Sequence, residues 1–281
     1  MLDLLNHTRH SFVPLHGRPP GAFPSPAPAP RPTGVASPEP APVLVPAGHW
    51  RTSLALVERH VPFKRRSLHA GDAVQTAGEP FRALHLVHFG GVKSVVVAAN
   101  GCQQVAGLHI KGDWVGFDGI ASGVCACDAV AMDTSEIWTL RYPMVLKAAE
   151  QVPELAHALY AAMSGQLARD REWRFALATL PADARLADFL RSWAQALALR
   201  ALRTDHITLR LTRAEIGNYL GMTLETVSRS FSRLVALGLI SFDDKGRRHF
   251  AIPDVDALSA YVDGKVRPCA GAVPADGPNP T

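Results

Sequence analysis

Leu211-Thr-Arg-Ala-Glu-Ile-Gly-Asn-Tyr-Leu-Gly-Met-Thr-Leu-Glu-Thr-Val-Ser-Arg-Ser-Phe-Ser-Arg-Leu234 is the stretch on which the fold turns. Thr212 and Glu215 stand in capping-box order, which predicts a helix from about Arg213 to Leu220. Gly221 ends it, because only glycine enters the left-handed region without steric cost. Thr223 then caps a second helix, whose apolar residues Val227, Phe231, Leu234 and Val235 recur at helical spacing. Two short helices broken by one glycine have helix-turn-helix spacing.

The second helix carries polar residues at its start, opposite the apolar set. Arg229 offers a planar fork that matches the O6 and N7 acceptors of guanine, and Glu225 can accept from a cytosine amino group while being repelled by phosphate. Ser228 is small enough for close approach. These three are the expected base-reading residues, in the position where a major-groove helix presents its side chains. Arg213, Thr223, Thr226, Arg233 and Arg247 are expected at backbone phosphates. A blander alternative makes Glu225 a first-turn residue favoured by the helix dipole and Arg229 its ordinary i+4 partner. Downstream, Leu239-Ile-Ser-Phe, Asp243-Asp-Lys-Gly-Arg-Arg and His249-Phe-Ala-Ile read as strand, turn and strand with a basic tip, like a wing.

Residues 211–239 resemble the winged-helix DNA-binding domain of the Crp/Fnr family, and more particularly its Fnr branch. The wording Ile-Gly-Asn-Tyr-Leu-Gly-Met-Thr-Leu-Glu-Thr-Val-Ser-Arg carries the likeness. The resemblance implies that Glu225, Ser228 and Arg229 read a half-site. The cyclic-AMP-binding branch usually has Arg before that Glu and Gly in place of Ser228. This chain has Leu224 and Ser228, which implies a TTGAT-type half-site. Contacts with RNA polymerase are implied by the likeness as well.

The chain has 281 residues, room for two ordinary domains with tails, and a net charge of +4. That charge suits a polyanionic partner without requiring one. No apolar run reaches the roughly 20 residues that cross a bilayer, and the first residues lack a basic region followed by an apolar core. A cytoplasmic protein is expected, and the cysteines Cys102, Cys125, Cys127 and Cys269 are too few for a disulfide framework.

Residues 1–50, dense in Pro and Ala from about Gly17 to Gly48, read as a disordered leader. A short helix is expected at about Thr52 to His60. Residues 51–150 form the sensor domain. Between Lys64 and Arg141 short β runs (83–87, 92–97, 104–110 and 135–140) alternate with turns at Ala70-Gly-Asp, Gly90-Gly91, Asn100-Gly101 and Lys111-Gly-Asp, which indicates a sandwich or jelly roll. This too resembles the Crp/Fnr sensor, above all in Gly107-Leu-His-Ile-Lys-Gly-Asp-Trp-Val-Gly-Phe-Asp-Gly-Ile-Ala-Ser-Gly. The likeness covers about Phe63 to Val262.

A long helix is expected between Pro153 and Leu180. Leu159, Gln166 and Trp173 fall seven apart, as do Met163, Asp170 and Leu177, and the two columns alternate like a coiled-coil seam. The family dimerises through this helix, so these six are the expected dimer contacts, with two reading helices meeting a palindrome. Asp170 has two readings. Either it faces its own copy and weakens the association, or the helix turns so that it meets water or one of Arg169, Arg171 and Arg174. A second helix is expected from about Ala182 to Arg200 and leads into the winged domain at 181–262, followed by a flexible tail at 263–281. The expected class is α+β: an N-terminal jelly-roll sensor of cyclic-nucleotide-binding type, a long dimerisation helix and a C-terminal winged helix-turn-helix.

What the sensor detects is left open. Oxygen-sensing Fnr proteins hold an iron–sulfur cluster through N-terminal cysteines and one in the roll. No cysteine here precedes Cys102, and the best match to the fourth ligand is Trp138, so a cluster of that kind is disfavoured. Cyclic AMP is disfavoured too. Its phosphate is bound in the family by an Arg-Ser pair and a Glu, whereas Gly123-Val-Cys-Ala-Cys-Asp has no Arg and adds Asp128. Cys125 and Cys127 form either a redox or soft-metal pair or two small buried hydrophobes. His85 and His88, three apart on a strand, are expected on opposite faces. Two other function classes stand beside this one. A cupin-like metalloenzyme would need a clustered His set that the sequence lacks. An effector-free architectural DNA binder fits the same residues.

Overall fold

A computed structural model describes residues 49–98, 100–204, 207–208, 210–242 and 249–266. These belong to one compact unit. The leader up to residue 48, the wing tip at 243–248 with Arg247, and Cys269 lie outside the described residues.

Helix α1 (His49–His60) begins earlier than the sequence reading placed it and leads into eight strands. These are β1 (Lys64–Leu68), β2 (Ala73–Gln75), β3 (Ala83–Phe89), β4 (Gly91–Val97), β5 (Gln103–Ile110), β6 (Trp114–Val115), β7 (Asp128–Ala131) and β8 (Ser135–Arg141). They form two four-stranded antiparallel sheets, β1-β8-β3-β6 and β2-β7-β4-β5. The period of two along each strand sorts the side chains between two cores. Val87 and Ile137 of the first sheet meet Val92, Ala129 and Ala131 of the second inside the roll. Leu84, Leu86, Trp138 and Leu140 point the other way, into a core shared with the helices. Leu84 and Leu86 therefore face helices while His85 and Val87 face the roll interior. Past a register shift near His88, that ring stacks on Trp138 at 4.6 Å, on the helix side. His85 and His88 lie on opposite faces, as their spacing predicts.

The β3–β4 turn shows why a sequence marks its hairpins with glycine. Gly90 has φ +82°, and a Cβ there would stand 2.2 Å from the Ser135 hydroxyl oxygen and 2.7 Å from the Ser135 Cα. Both the backbone angle and the space require glycine. The same hydroxyl accepts from the Gly91 amide at 3.1 Å, which ties the turn to the start of β8.

Helix α2 (Tyr142–Gln151), which the sequence reading did not separate, is followed by α3 (Pro153–Thr179) and α4 (Ala182–Leu199), close to their expected bounds. The winged domain consists of β9 (Ile207–Thr208), α5 (Arg213–Leu220), α6 (Leu224–Ala236), β10 (Ser241–Phe242), β11 (His249–Ala251) and α7 (Val255–Asp263). Its sheet has order β10-β11-β9. The third strand, β9, carries no sequence signal because two residues show no periodicity. The core joins Leu186 and Leu190 of α4, Ile216 and Leu220 of α5, Val227, Phe231 and Leu234 of α6, and Phe250 of β11. Sensor and winged domain also meet directly. Arg200, just past α4, donates from Nη2 to Asp113 Oδ1 at 2.5 Å and from Nε to the Lys111 carbonyl at 2.7 Å. The Trp50 indole donates to the Leu199 carbonyl at 3.0 Å. No helix among the described residues is long and apolar enough to cross a membrane.

Candidate nucleic-acid interface

Local chemistry fixes the two-helix unit. The Thr212 hydroxyl accepts from the Glu215 amide at 3.2 Å while Glu215 Oε2 accepts from the Thr212 amide at 2.7 Å, closing the capping box. Gly221 takes the left-handed conformation at φ 60° and ψ 44°. Arg185 of α4 donates to the Leu220 carbonyl at 2.9 Å, satisfying one of the acceptors that the end of α5 leaves without an intrahelical partner. Thr223 caps α6 by accepting from the Thr226 amide at 3.3 Å. One element escaped the sequence reading. A Cβ on Gly217 would lie 2.6 Å from the Met222 carbonyl oxygen, so this glycine lets the turn fold back onto α5.

With Val227, Ser230, Phe231 and Leu234 buried, α6 turns Glu225, Ser228 and Arg229 outward, all exposed. The hydrogen bond from its own amide at the helix start, then the Thr223 hydroxyl, hold the Glu225 carboxyl below the usual carboxylate range. It is therefore an anion at neutral pH, able to accept but not to donate. Arg229 Nη2 lies 3.4 Å from the Thr226 hydroxyl, a long contact that leaves the guanidinium fork facing solvent. The face presents one acceptor, one small hydroxyl and one bidentate donor within two turns.

The expected phosphate contacts divide. Thr223 is exposed and Thr226 half-buried, at the N-terminus of α6, their hydroxyls 3.0 Å apart. Arg233 donates to Asp183 Oδ2 at 3.1 Å, and that oxygen also accepts from the Tyr261 hydroxyl at 2.6 Å, yet the Arg233 side chain stays 66% exposed. Arg213 is held against two aromatic rings. Its guanidinium carbon lies 3.3 Å from the centroid of Phe231 and 5.3 Å from that of Phe242, so its head is stacked between helix and wing.

The six expected dimer contacts differ in how far their own chain covers them. Leu159 is buried in the core behind the roll, and Trp173 stacks on Tyr219 of α5, with centroids 4.5 Å apart and planes at 7°. Gln166 of the same column is half-buried, as are Met163 and Asp170 of the other, and of the six only Leu177 is exposed. The large apolar side chains that α3 leaves in solvent are Tyr160 (71%), Leu167 (57%) and Phe175 (55%), together with Leu177. Within the chain itself, Leu159 and Trp173 already have packing partners.

Cys125 and Cys127 are buried in the loop before β7. Asp118 Oδ2 accepts from the Ala126 amide at 2.8 Å, the Cys127 amide at 3.2 Å and the Cys127 thiol at 3.4 Å. Burial first, and then this carboxylate, push the Cys127 thiol up to about 12, and the same two causes raise Cys125. Both surroundings favour the thiol over the thiolate that redox exchange or a soft metal requires. Among the described residues no group of three or more His, Cys, Asp or Glu is gathered as a metal site. This loop does not fit a cyclic nucleotide phosphate either. Its Ala126 and Cys127 amides are already turned to Asp118, and Asp128 Oδ1 accepts from the Ala77 amide at 2.7 Å, so the loop carries two carboxylates that oppose an anion. Nor does the Trp138 position fit an iron–sulfur ligand. Its ring is packed on Phe63 at 4.2 Å and its indole donates to Glu136 at 2.8 Å.

Comparison with known proteins agrees with this geometry. Residues 65–151 match the cyclic nucleotide-binding domain, and residues 184–261 match the Crp-like helix-turn-helix domain. The transcriptional regulatory protein btr of Bordetella pertussis is 32% identical over 217 residues, 77% of this chain and 88% of that one. The fumarate and nitrate reduction regulatory protein of Salmonella typhimurium is 31% identical over 205 residues, 73% of this chain and 79% of that one. Among solved structures, FixK2 from Bradyrhizobium japonicum aligns with a TM-score of 0.63 at 25% identity, over 75% of this chain and all of that one. With these relatives aligned across sensor and reading helix alike, the chain belongs to the Crp/Fnr family of DNA-binding transcription regulators.

Proposed function

We propose that this regulator binds a TTGAT-type palindrome as a homodimer, with Glu225, Ser228 and Arg229 reading each half-site and a signal received at the β-roll. The observation that carries the reading is the outward face of α6, where these three side chains are exposed while Val227, Phe231 and Leu234 are buried behind them. Thr223, Thr226 and Arg233 flank that face and suit backbone phosphates, with Arg247 of the wing tip assigned to the same role by sequence. The second copy packs on α3 through Tyr160, Leu167 and Phe175, which no part of the described chain covers. RNA polymerase is a further partner by family likeness, and the cytoplasm is the expected compartment.

The test is binding of the purified full chain to a TTGAT-N4-ATCAA duplex and to a scrambled one, at about 150 mM salt, with and without oxygen. A preference for the palindrome is expected. Arg229→Ala should remove about 1–3 kcal/mol of discrimination at the guanine, roughly 5- to 150-fold, and leave scrambled DNA little changed. Equal losses on both duplexes would sink the base-reading assignment. Arg213→Ala should weaken all duplexes alike, through lost packing over Phe231 as much as lost charge. A strong salt dependence with no preference would identify an architectural binder instead. A preference confined to reducing conditions would return attention to Cys125 and Cys127.

A further inference from the structure

Strand β5 is the open edge of the sheet β2-β7-β4-β5, and an open edge displays unpaired amides and carbonyls. Here the edge is met by one side chain of the reading domain. Asn218 of α5 donates from Nδ2 to the Gln103 carbonyl at 2.5 Å and accepts at Oδ1 from the Val105 amide at 2.5 Å. Gln103 and Val105 turn their backbone groups to the same side, so the Asn218 amide sits as the peptide unit of an added strand would. Gln104 Nε2 returns a hydrogen bond to the Asn218 carbonyl. Beside it, Lys93 of β4 reaches Glu215 Oε1, while Oε2 of the same carboxylate holds the capping box of α5. Burial opposes the charge on Glu215, but the Lys93 and Thr212 hydrogen bonds outweigh it and hold the carboxyl below its usual range. Arg210, just before α5, pairs with Asp133 of the roll. The register between β4 and β5 shifts beside these contacts, from Ser94↔Gly107 to Val95↔Val105, which leaves Ala106 as a bulge.

We propose that Asn218, supported by Lys93, is a positioning residue for DNA recognition: it fixes α5, and with it the reading helix α6 packed on α5, to the β4–β5 hairpin of the sensor and so sets the distance between the two half-sites that a dimer can engage. The reading face is exposed while this contact is made, so the contact orients the helix rather than covering it. It also gives the roll a direct route to the DNA domain, because Ser94 and His109, on the inner face of the same two strands, are hydrogen-bonded to each other at 2.8 Å. The inference rests on the palindrome-binding homodimer proposed above.

Two variants test it. Asn218→Ala removes the amide, and Lys93→Met acts from the sensor without altering any residue of the reading domain. Each is measured, as the full chain, on a single half-site, on the palindrome, and on palindromes with the spacer one base pair shorter or longer. Amide exchange at Val105 is followed in parallel. Both variants should bind the single half-site as the parent does, while palindrome affinity falls about tenfold as the effective concentration of the second reading head drops. Preference for the parental spacer should shrink by a similar factor, a change that simple loss of folded protein does not produce. In Asn218→Ala the Val105 amide should exchange at least about tenfold faster. An unchanged spacer preference together with an exposed Val105 amide overturns the positioning role, and an unchanged Val105 amide overturns the contact itself. A parent protein that binds the palindrome no better than a half-site overturns the dimer reading, and the inference with it.

Discussion

Phe231→Ala is expected to destabilise the winged domain by about 3–5 kcal/mol and to abolish binding to every DNA sequence together. The ring is 1% exposed, lies at the centre of the core formed by α4, α5, α6 and β11, and packs on Phe242 with centroids 5.7 Å apart. Truncation leaves a cavity that the surrounding helices cannot close without moving the reading face. It also removes the aromatic surface over which the Arg213 guanidinium is stacked at 3.3 Å. Against a total domain stability of about 5–15 kcal/mol, that loss unfolds a large share of the molecules. Urea denaturation followed by tryptophan fluorescence measures it, and Phe231→Leu should fall between the parent and the alanine variant. A Phe231→Ala protein of parental stability would mean that the α6 core is not packed as described.

Acidification is the second large effect. His85 and His109 are both buried inside the roll, and both are lowered from their ordinary value to about 4. For His85 the cause is burial, then the nearby Arg66 charge, and its Nδ1 lies 3.1 Å from the Thr139 hydroxyl. For His109 burial dominates, offset in part by Asp113, and its Nε2 meets Ser94 at 2.8 Å. A depressed folded value means that the unfolded chain takes up the proton first. The contribution to stability is complete above about pH 6.5 and is lost as the pH falls towards 4, about 3 kcal/mol for each histidine by that point. Urea midpoints between pH 7.5 and 4.5 should show this loss, and His109→Asn should remove about half of the slope. A flat profile in the parent would show that the two rings are not held neutral.

The parts of the site legible in sequence are those whose partners lie within one helical turn. Thr212 with Glu215, and Thr223 with the Thr226 amide, bond across a separation of three residues, so a capping pattern suffices to predict them. Gly90 and Gly221 are equally legible, since positive φ is a property of one residue. Strands β1, β2, β6, β7 and β9 were not separated. They run two to five residues and show too little alternation to stand out from loops. The apolar columns of α3 were visible, but not which of their members the chain itself covers. That depends on Trp173 finding Tyr219 and on Leu159 finding the core behind the roll, contacts with no local signature.

By itself, then, the sequence determined the two-helix reading unit, its caps, its glycine turn and the exposed trio Glu225, Ser228 and Arg229, because hydrogen bonding and backbone conformation over three or four residues fix all of these, while the family was legible from the resemblance of the same residues. Tertiary structure alone decided what packs on Leu159 and Trp173 of α3, where the Arg213 guanidinium rests, and that Asn218 closes on the edge of β5 across a separation of 115 residues. Such choices depend on which surfaces meet once the roll and the winged domain pack together, and a linear pattern carries no record of that geometry.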